Sequence, residues 1–266
     1  MEYTKSLFFS SDPRAGIDNI SQDGSSFTIS LNNPIKIPHD ASDCTLEVTQ
    51  ANIWNTSPNI GTEFSNNIFQ FKTSHKANPG THTIVIPDGL YSLNGLNKFL
   101  QLEFSNLGLP VGLILLTGSS STQQTIFTFS IAGDSIDFTL ADSCNDILGF
   151  DSRIAPATPQ AASYNEYSDN GAEFNRVNSY GIRSNIVSSG LPLNNQAIGL
   201  IASIPITATP GKLIIYEPYN PIRVDANELI GNPRSNLEFT LIDQVGRNTP
   251  TNSEHYNFIL TIRWMI

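Results

Sequence analysis

Apolar and polar residues alternate in short runs along much of the chain, most sharply near its end, where Phe258, Leu260, Ile262 and Trp264 recur at every second position. A period of two sends successive side chains to opposite faces of a strand, so such a run predicts a strand with one buried face. Similar runs lie at 182–187, 197–206, 212–217, 222–225, 236–243 and 256–264. Turn residues separate them: Gly190 with Pro192, Pro210-Gly211, Pro218 with Asn220-Pro221, Gly231 with Pro233, and Gly246 with Pro250. Proline has no backbone donor and glycine reaches positive φ cheaply, so these clusters end strands. Regular short strands punctuated in this way predict a β-sandwich or barrel.

Toward the other end, Phe27, Ile29 and Leu31 alternate with Thr28 and Ser30 until Asn32-Asn33-Pro34 stops the strand. A second strand covers 44–54, with Leu46 and Val48 on one face and a change of phase near Gln50-Ala51 that a bulge explains. Residues 1–25 show no sustained period and contain Asp12-Pro13, Gly16 and Asp23-Gly24. They are expected to form an extended arm, with Leu7, Phe8 and Phe9 available to tuck under the body or under a neighbouring subunit.

Between residues 63 and 150 the period changes. Leu93, Leu96, Leu100, Phe104 and Leu107 recur at steps of three or four after the N-cap candidate Ser92, and Gly108 with Pro110 ends the pattern. This helix, with short strands before and after it, predicts a compact α+β insertion. Residues 151–180 have no clear period and read as a long surface loop. Removing the insertion and loop leaves segments 26–62 and 181–266, with two strands before the gap and six after. The expected fold is therefore mainly β: a single jelly-roll β-sandwich of eight strands with a small helix-bearing α+β insertion.

Composition narrows the chemistry. Only 14% of residues are charged and asparagine occurs 27 times, which gives a neutral, polar surface suited to packing against other subunits. The formal net charge of −10, with no run of Lys and Arg, argues against nucleic acid as a direct partner. No secretory signal is evident, and the apolar run 109–116 is too short to span a bilayer. Cys44 and Cys144, without metal-ligand spacing, read as buried free thiols. His39, His75, His82 and His255 lack the spacing of a metal site, and no nucleophile elbow or phosphate loop is present. Asp134, Asp137, Asp142, Asp146 and Asp151 fall close together but read as a hairpin turn, a cap at Asp142 or Ser143, and a first-turn acid rather than a calcium site. No catalytic, cofactor or metal residue is assigned. Tyr164, Tyr167 and Tyr180 are contact candidates because exposed aromatics on loops mark interaction surfaces.

The passage Ile84-Val85-Ile86-Pro87-Asp88-Gly89-Leu90-Tyr91-Ser92-Leu93, with Leu96-Asn97 and then Ile147-Leu148-Gly149-Phe150, resembles a segment of the minor capsid proteins of virophages and Polinton-type viruses. Gly211-Lys212-Leu213-Ile214-Ile215-Tyr216-Glu217-Pro218 with Asn220-Pro221, residues 237–243 and the final strand are similar to the same proteins. The likeness rests on the order and spacing of these segments. It implies a penton protein of the adenovirus-like lineage: a single jelly roll that forms a homopentamer at the fivefold vertices of an icosahedral virion, beside a double jelly-roll major capsid protein. Many such proteins carry an insertion projecting outward, which implies a host receptor as a further partner of the insertion. The resemblance brings no catalytic residues. Two other readings are a receptor- or glycan-binding jelly-roll spike module, which needs an exposed aromatic pocket near Tyr164 to Tyr180, and a jelly-roll glycoside hydrolase, which needs two facing carboxylates.

Overall fold

The computed structural model describes residues 1–266. The strands are β1 (Glu2–Ser10), β2 (Asn19–Ile20), β3 (Ser26–Ile35), β4 (Asp43–Trp54), β5 (Ile68–Thr73) and β6 (Gly80–Val85), followed by helix α1 (Leu93–Asn106). Then come β7 (Ile114–Gly118), β8 (Thr125–Phe129), β9 (Ser135–Asp137), helix α2 (Asn145–Leu148), β10 (Ile154–Ala155) and β11 (Tyr164–Tyr167). The chain finishes with β12 (Ser179–Ser184), β13 (Leu191–Leu193), β14 (Gln196–Pro205), β15 (Leu213–Tyr216), β16 (Val224–Asp225), β17 (Arg234–Ile242) and β18 (Asn257–Met265). Two compact units result: Met1–Ser57 with Val177–Ile266, and Pro58–Arg176.

The first unit is a jelly roll. One sheet has the order β1-β18-β4-β15, with β16 also on β4, and the other runs β13-β14-β12-β17-β3-β2. Because β15 and β16 share one flank of β4, and β2 and β13 are short additions at the edges, each sheet has four principal positions. Every pairing between these strands is antiparallel, and the inner faces enclose one core that includes Phe9, Phe27, Leu46, Tyr180, Ile182, Phe239, Tyr256, Phe258 and Ile262. The phase change in β4 is a bulge: Ile259 faces Gln50 and Leu260 faces Val48, so Thr49 is the extra residue. Cys44, Leu46 and Val48 before it and Ala51 and Ile53 after it all reach the core.

Two expectations about this unit need correction. Residues 1–25 are not an arm: β1 pairs with β18 along its whole length, Glu2 facing Met265 and Ser10 facing Asn257. Its core-facing residues are Tyr3, Lys5, Leu7 and Phe9, and the charged Lys5 together with the apolar outward Phe8 destroys the alternation that marks a strand. Three principal strands thus precede the insertion. The runs 212–217 and 222–225 are two pieces flanking a single strand, so the total of eight survives with a different division.

The second unit is built from two small sheets, β10-β9-β5-β6 and β11-β8-β7, around its own core of Phe69, Phe71, Leu96, Leu100, Phe104, Phe127, Phe138 and Phe150. Ser92 caps α1 by accepting from Gly95 N, and Gly108 at φ +73° ends it. The helix also covers the free edge of β7. Asn97 Oδ1 accepts from Leu116 N at 3.0 Å, and Gln101 Nε2 donates to Ile114 O at 2.8 Å, so two amides one turn apart replace a missing strand.

Residues 151–180 are not a surface loop. β10 pairs with β9, β11 pairs with β8, and Ala155, Glu166 and Ser168 are buried. Arg153 holds the segment by reaching Glu166 at 2.8 Å and Asp169 at 2.9 Å. Gly149, at φ +76°, allows the returning chain to approach: a Cβ there would lie 2.4 Å from the carbonyl oxygen of Asn170. The α2 cap also differs from expectation, since Cys144 occupies the N-cap position without a side-chain bond.

Candidate assembly surface

Along each strand of the five-stranded sheet, the residues between the core positions form an outer face whose layout follows from the register. Ser10, Asn257, Asn52 and Ile215 make one row, and Phe8, Ile259 and Gln50 the next. Trp54 and Leu213 flank them as a facing pair. Ser6, Thr261 and Glu47 form a further row, followed by Thr4, Arg263 and Thr45.

The two ends of this face differ in chemistry. At one end Phe8, Ile259, Ile215, Leu213 and Trp54 surround an amide pair in which Asn52 Nδ2 donates to Asn257 Oδ1 at 2.9 Å. No ionisable side chain lies in these rows. At the other end Glu47, on the outer face yet only 1% exposed, is covered by arginines. Arg263 Nε and Nη2 both reach Glu47 Oε1 at 2.8 Å, and Arg223 Nε reaches Oε2 at 3.4 Å. Glu47 raises the pKa of Arg263, chiefly through this hydrogen bond. With Tyr219, Asn220 and Pro221 these three residues line a shallow depression of about 410 Å³.

The ion cluster carries a stability prediction. Arg263→Ala removes the closer partner of a buried carboxylate. Such losses cost about 3–5 kcal/mol when the pair is fully buried; Arg223 remains and Arg263 is itself 30% exposed, so about 2–3 kcal/mol is expected here. Urea unfolding of Arg263→Ala beside the double variant Glu47→Gln/Arg263→Met checks this. The double variant should recover most of the loss, and equal destabilisation of the two would rule out the stranded charge as the cause.

The contact candidates read from sequence scatter. Phe8 is exposed on the apolar end of the face, whereas Phe9 is buried in the core and Leu7 is half-buried against it. Tyr180 is fully buried and shares a hydrogen bond of 2.8 Å with Ser57, so it is no surface residue. Tyr164 packs against the core of the second unit, and Tyr167 is exposed on the opposite face of β11. The tyrosines therefore do not converge on one aromatic pocket. Leu213, Ile215 and Ile259 were missed as outer-face residues. Their signal was adjacent apolar pairs, Ile214-Ile215 and Phe258-Ile259, where a half-buried strand calls for a polar neighbour.

The acidic residues serve local structure. Asp134 accepts from Thr73 Oγ1 and Ser74 N, Asp137 from Thr139, and Asp151 from Asn170. Burial pushes the Cys44 thiol up to about 11, helped by Asp43 and Asp225, and that of Cys144 up to about 12, which keeps both protonated at neutral pH.

Among solved structures, the crystal structure of the mavirus penton protein matches the chain over 100% of both lengths at a TM-score of 0.52 and 10% identity. The chain has a penton-like fold. No protein-family model and no curated protein matches it. The likeness to the mavirus penton protein spans both compact units, so it includes the segment between β4 and β12 as well as the jelly roll. No helix is long and apolar enough to cross a membrane.

Proposed function

We propose that this chain is a penton, or minor capsid, protein that occupies the fivefold vertices of an icosahedral virion. The observation that carries the reading is the end-to-end match with the mavirus penton protein. In this reading the chain acts without catalysis. It assembles as a homopentamer, contacts a double jelly-roll major capsid protein around each vertex, and belongs to the adenovirus-like lineage of virophages and Polinton-type viruses. Head-to-tail contacts between copies close into a ring when the rotation per subunit is right. A sparsely charged surface supports the role, because burying a charge between subunits costs more than burying an amide or hydroxyl.

Quantitative mass spectrometry of purified particles, combined with immunogold labelling, tests the reading. The expected result is a stoichiometric minor component concentrated at vertices. Absence from particles, or labelling spread evenly over the facets, overturns it.

A further inference from the structure

We infer that the apolar end of the outer face of the five-stranded sheet is a docking surface for a second copy of this chain. The inference rests on the capsid reading and assigns that reading a place on the molecule.

An antiparallel sheet with one face on the core presents a polar outer face to water. The far part of this face obeys the rule, with Thr4, Ser6, Thr45, Thr49 and Thr261 outward. The near part breaks it on either side of the Asn52–Asn257 pair: Phe8 is 65% exposed, Ile215 62%, and Trp54 and Leu213 37% each, drawn from β1, β15 and β4. Ile259 of β18 fills the row between Phe8 and Gln50. Scattered exposed apolar residues are ordinary on a protein surface, but a group drawn from four strands to one uncharged end of one face marks a contact.

Charge argues that the occupant is another copy. Each copy carries a formal net charge of −10, so two copies repel unless they meet on faces that pair charges or lack them. The block lacks them. Its central polar groups are uncharged and partly satisfied within the chain: Asn52 Nδ2 donates to Asn257 Oδ1, and Ser10 Oγ accepts from Asp12 N at 3.2 Å. The groups left over, Asn52 Oδ1 and Asn257 Nδ2, must be met by polar groups of the second copy. A strongly basic partner would be drawn to the acidic remainder of the surface, whereas a like-charged one is limited to neutral ground.

Native mass spectrometry over a concentration series tests this with the full chain, using wild type, Phe8→Asp/Ile215→Asp, Phe8→Lys/Ile215→Lys, and Val111→Asp as an exposed control outside the jelly roll. Circular dichroism and melting temperature establish that each variant is folded. Both double variants should self-associate at least about 100-fold more weakly, as expected when central apolar anchors are lost, while the control matches wild type. The lysine pair separates packing from net charge, because it lowers the repulsion between copies and still must weaken the contact. Double variants that assemble like wild type, or a lysine pair that assembles more tightly, overturn the surface and leave the capsid reading standing. Wild type that stays monomeric throughout also overturns the surface, and only its absence from particles overturns the capsid reading.

Discussion

Phe239→Ala is expected to destabilise the jelly roll by about 3–5 kcal/mol, the range for deleting a buried aromatic ring and leaving a cavity. Phe239 lies on β17 in the six-stranded sheet and is fully buried. Its ring centre is 4.6 Å from that of Phe9 and 5.0 Å from that of Phe258, both on the opposite sheet, and 5.4 Å from that of Phe27 on its own. The residue therefore joins the two layers at the middle of the sandwich, and the lost tilted and edge contacts add to the lost burial. At about 2–4 °C per kcal/mol the transition should fall by roughly 6–20 °C. Both tryptophans, Trp54 and Trp264, belong to this unit, so their fluorescence follows its unfolding. Phe239→Leu, which refills most of the volume, should cost less than half as much. A loss under about 1 kcal/mol for the alanine variant would mean that the sheets are held together elsewhere.

The jelly roll was legible where its strands obey one rule, inward apolar and outward polar. β17 and β18 hold an apolar residue at each core-facing position from Leu237 to Leu241 and from Phe258 to Ile262, and the β4 bulge announced itself as a change of phase because a core-facing set on both sides of an extra residue must shift by one. β1 was illegible because both of its faces break the rule, Lys5 facing inward and Phe8 facing outward. The outward exception belongs to the proposed contact, so the function that placed Phe8 on the surface also hid the strand. Segment 151–180 was lost for another reason. β10 and β11 are two and four residues long, too short for a period to develop, and the inward position of β11 holds Glu166, whose burial is balanced by Arg153 from the preceding strand region. An ion pair thirteen residues apart follows neither the strand nor the helix period and leaves no local mark. Helix α1 was readable because its cap, stripe and stop are all local, whereas its role as a cover for the β7 edge depends on Asn97 and Gln101 meeting a strand that forms later in the chain.

Asn59→Asp should be as damaging to the second unit as the loss of Phe239 is to the first. Asn59 is 2% exposed, and its Nδ2 donates to Tyr91 O and Phe174 O at 2.8 Å each while its Oδ1 accepts from Tyr91 N at 2.8 Å. One side chain thus ties the start of the unit to its end and to the residue just before the α1 cap. Its own carbonyl accepts from Asn66 Nδ2 at 2.9 Å, and Asn66 Oδ1 accepts from Gly61 N, so the knot is a closed network. An aspartate of the same shape loses both donors, turns a carboxylate oxygen toward two carbonyls and buries a charge with no cation beside it. The expected loss is about 3–5 kcal/mol at neutral pH, against about 2–3 kcal/mol for Asn59→Ala, which leaves the three backbone groups unpaired but buries no charge. The two variants separate by pH. Burial raises the pKa of the introduced carboxyl above its unfolded value near 4, so the folded state binds the extra proton and the aspartate penalty shrinks as pH falls through the raised value. Hydrogen exchange at the amides of Ile60 and Tyr91, measured at two pH values, reads this directly. A deficit for Asn59→Asp that does not change with pH, or one no larger than that of Asn59→Ala at neutral pH, would show that the side chain holds the ends of the unit by packing alone.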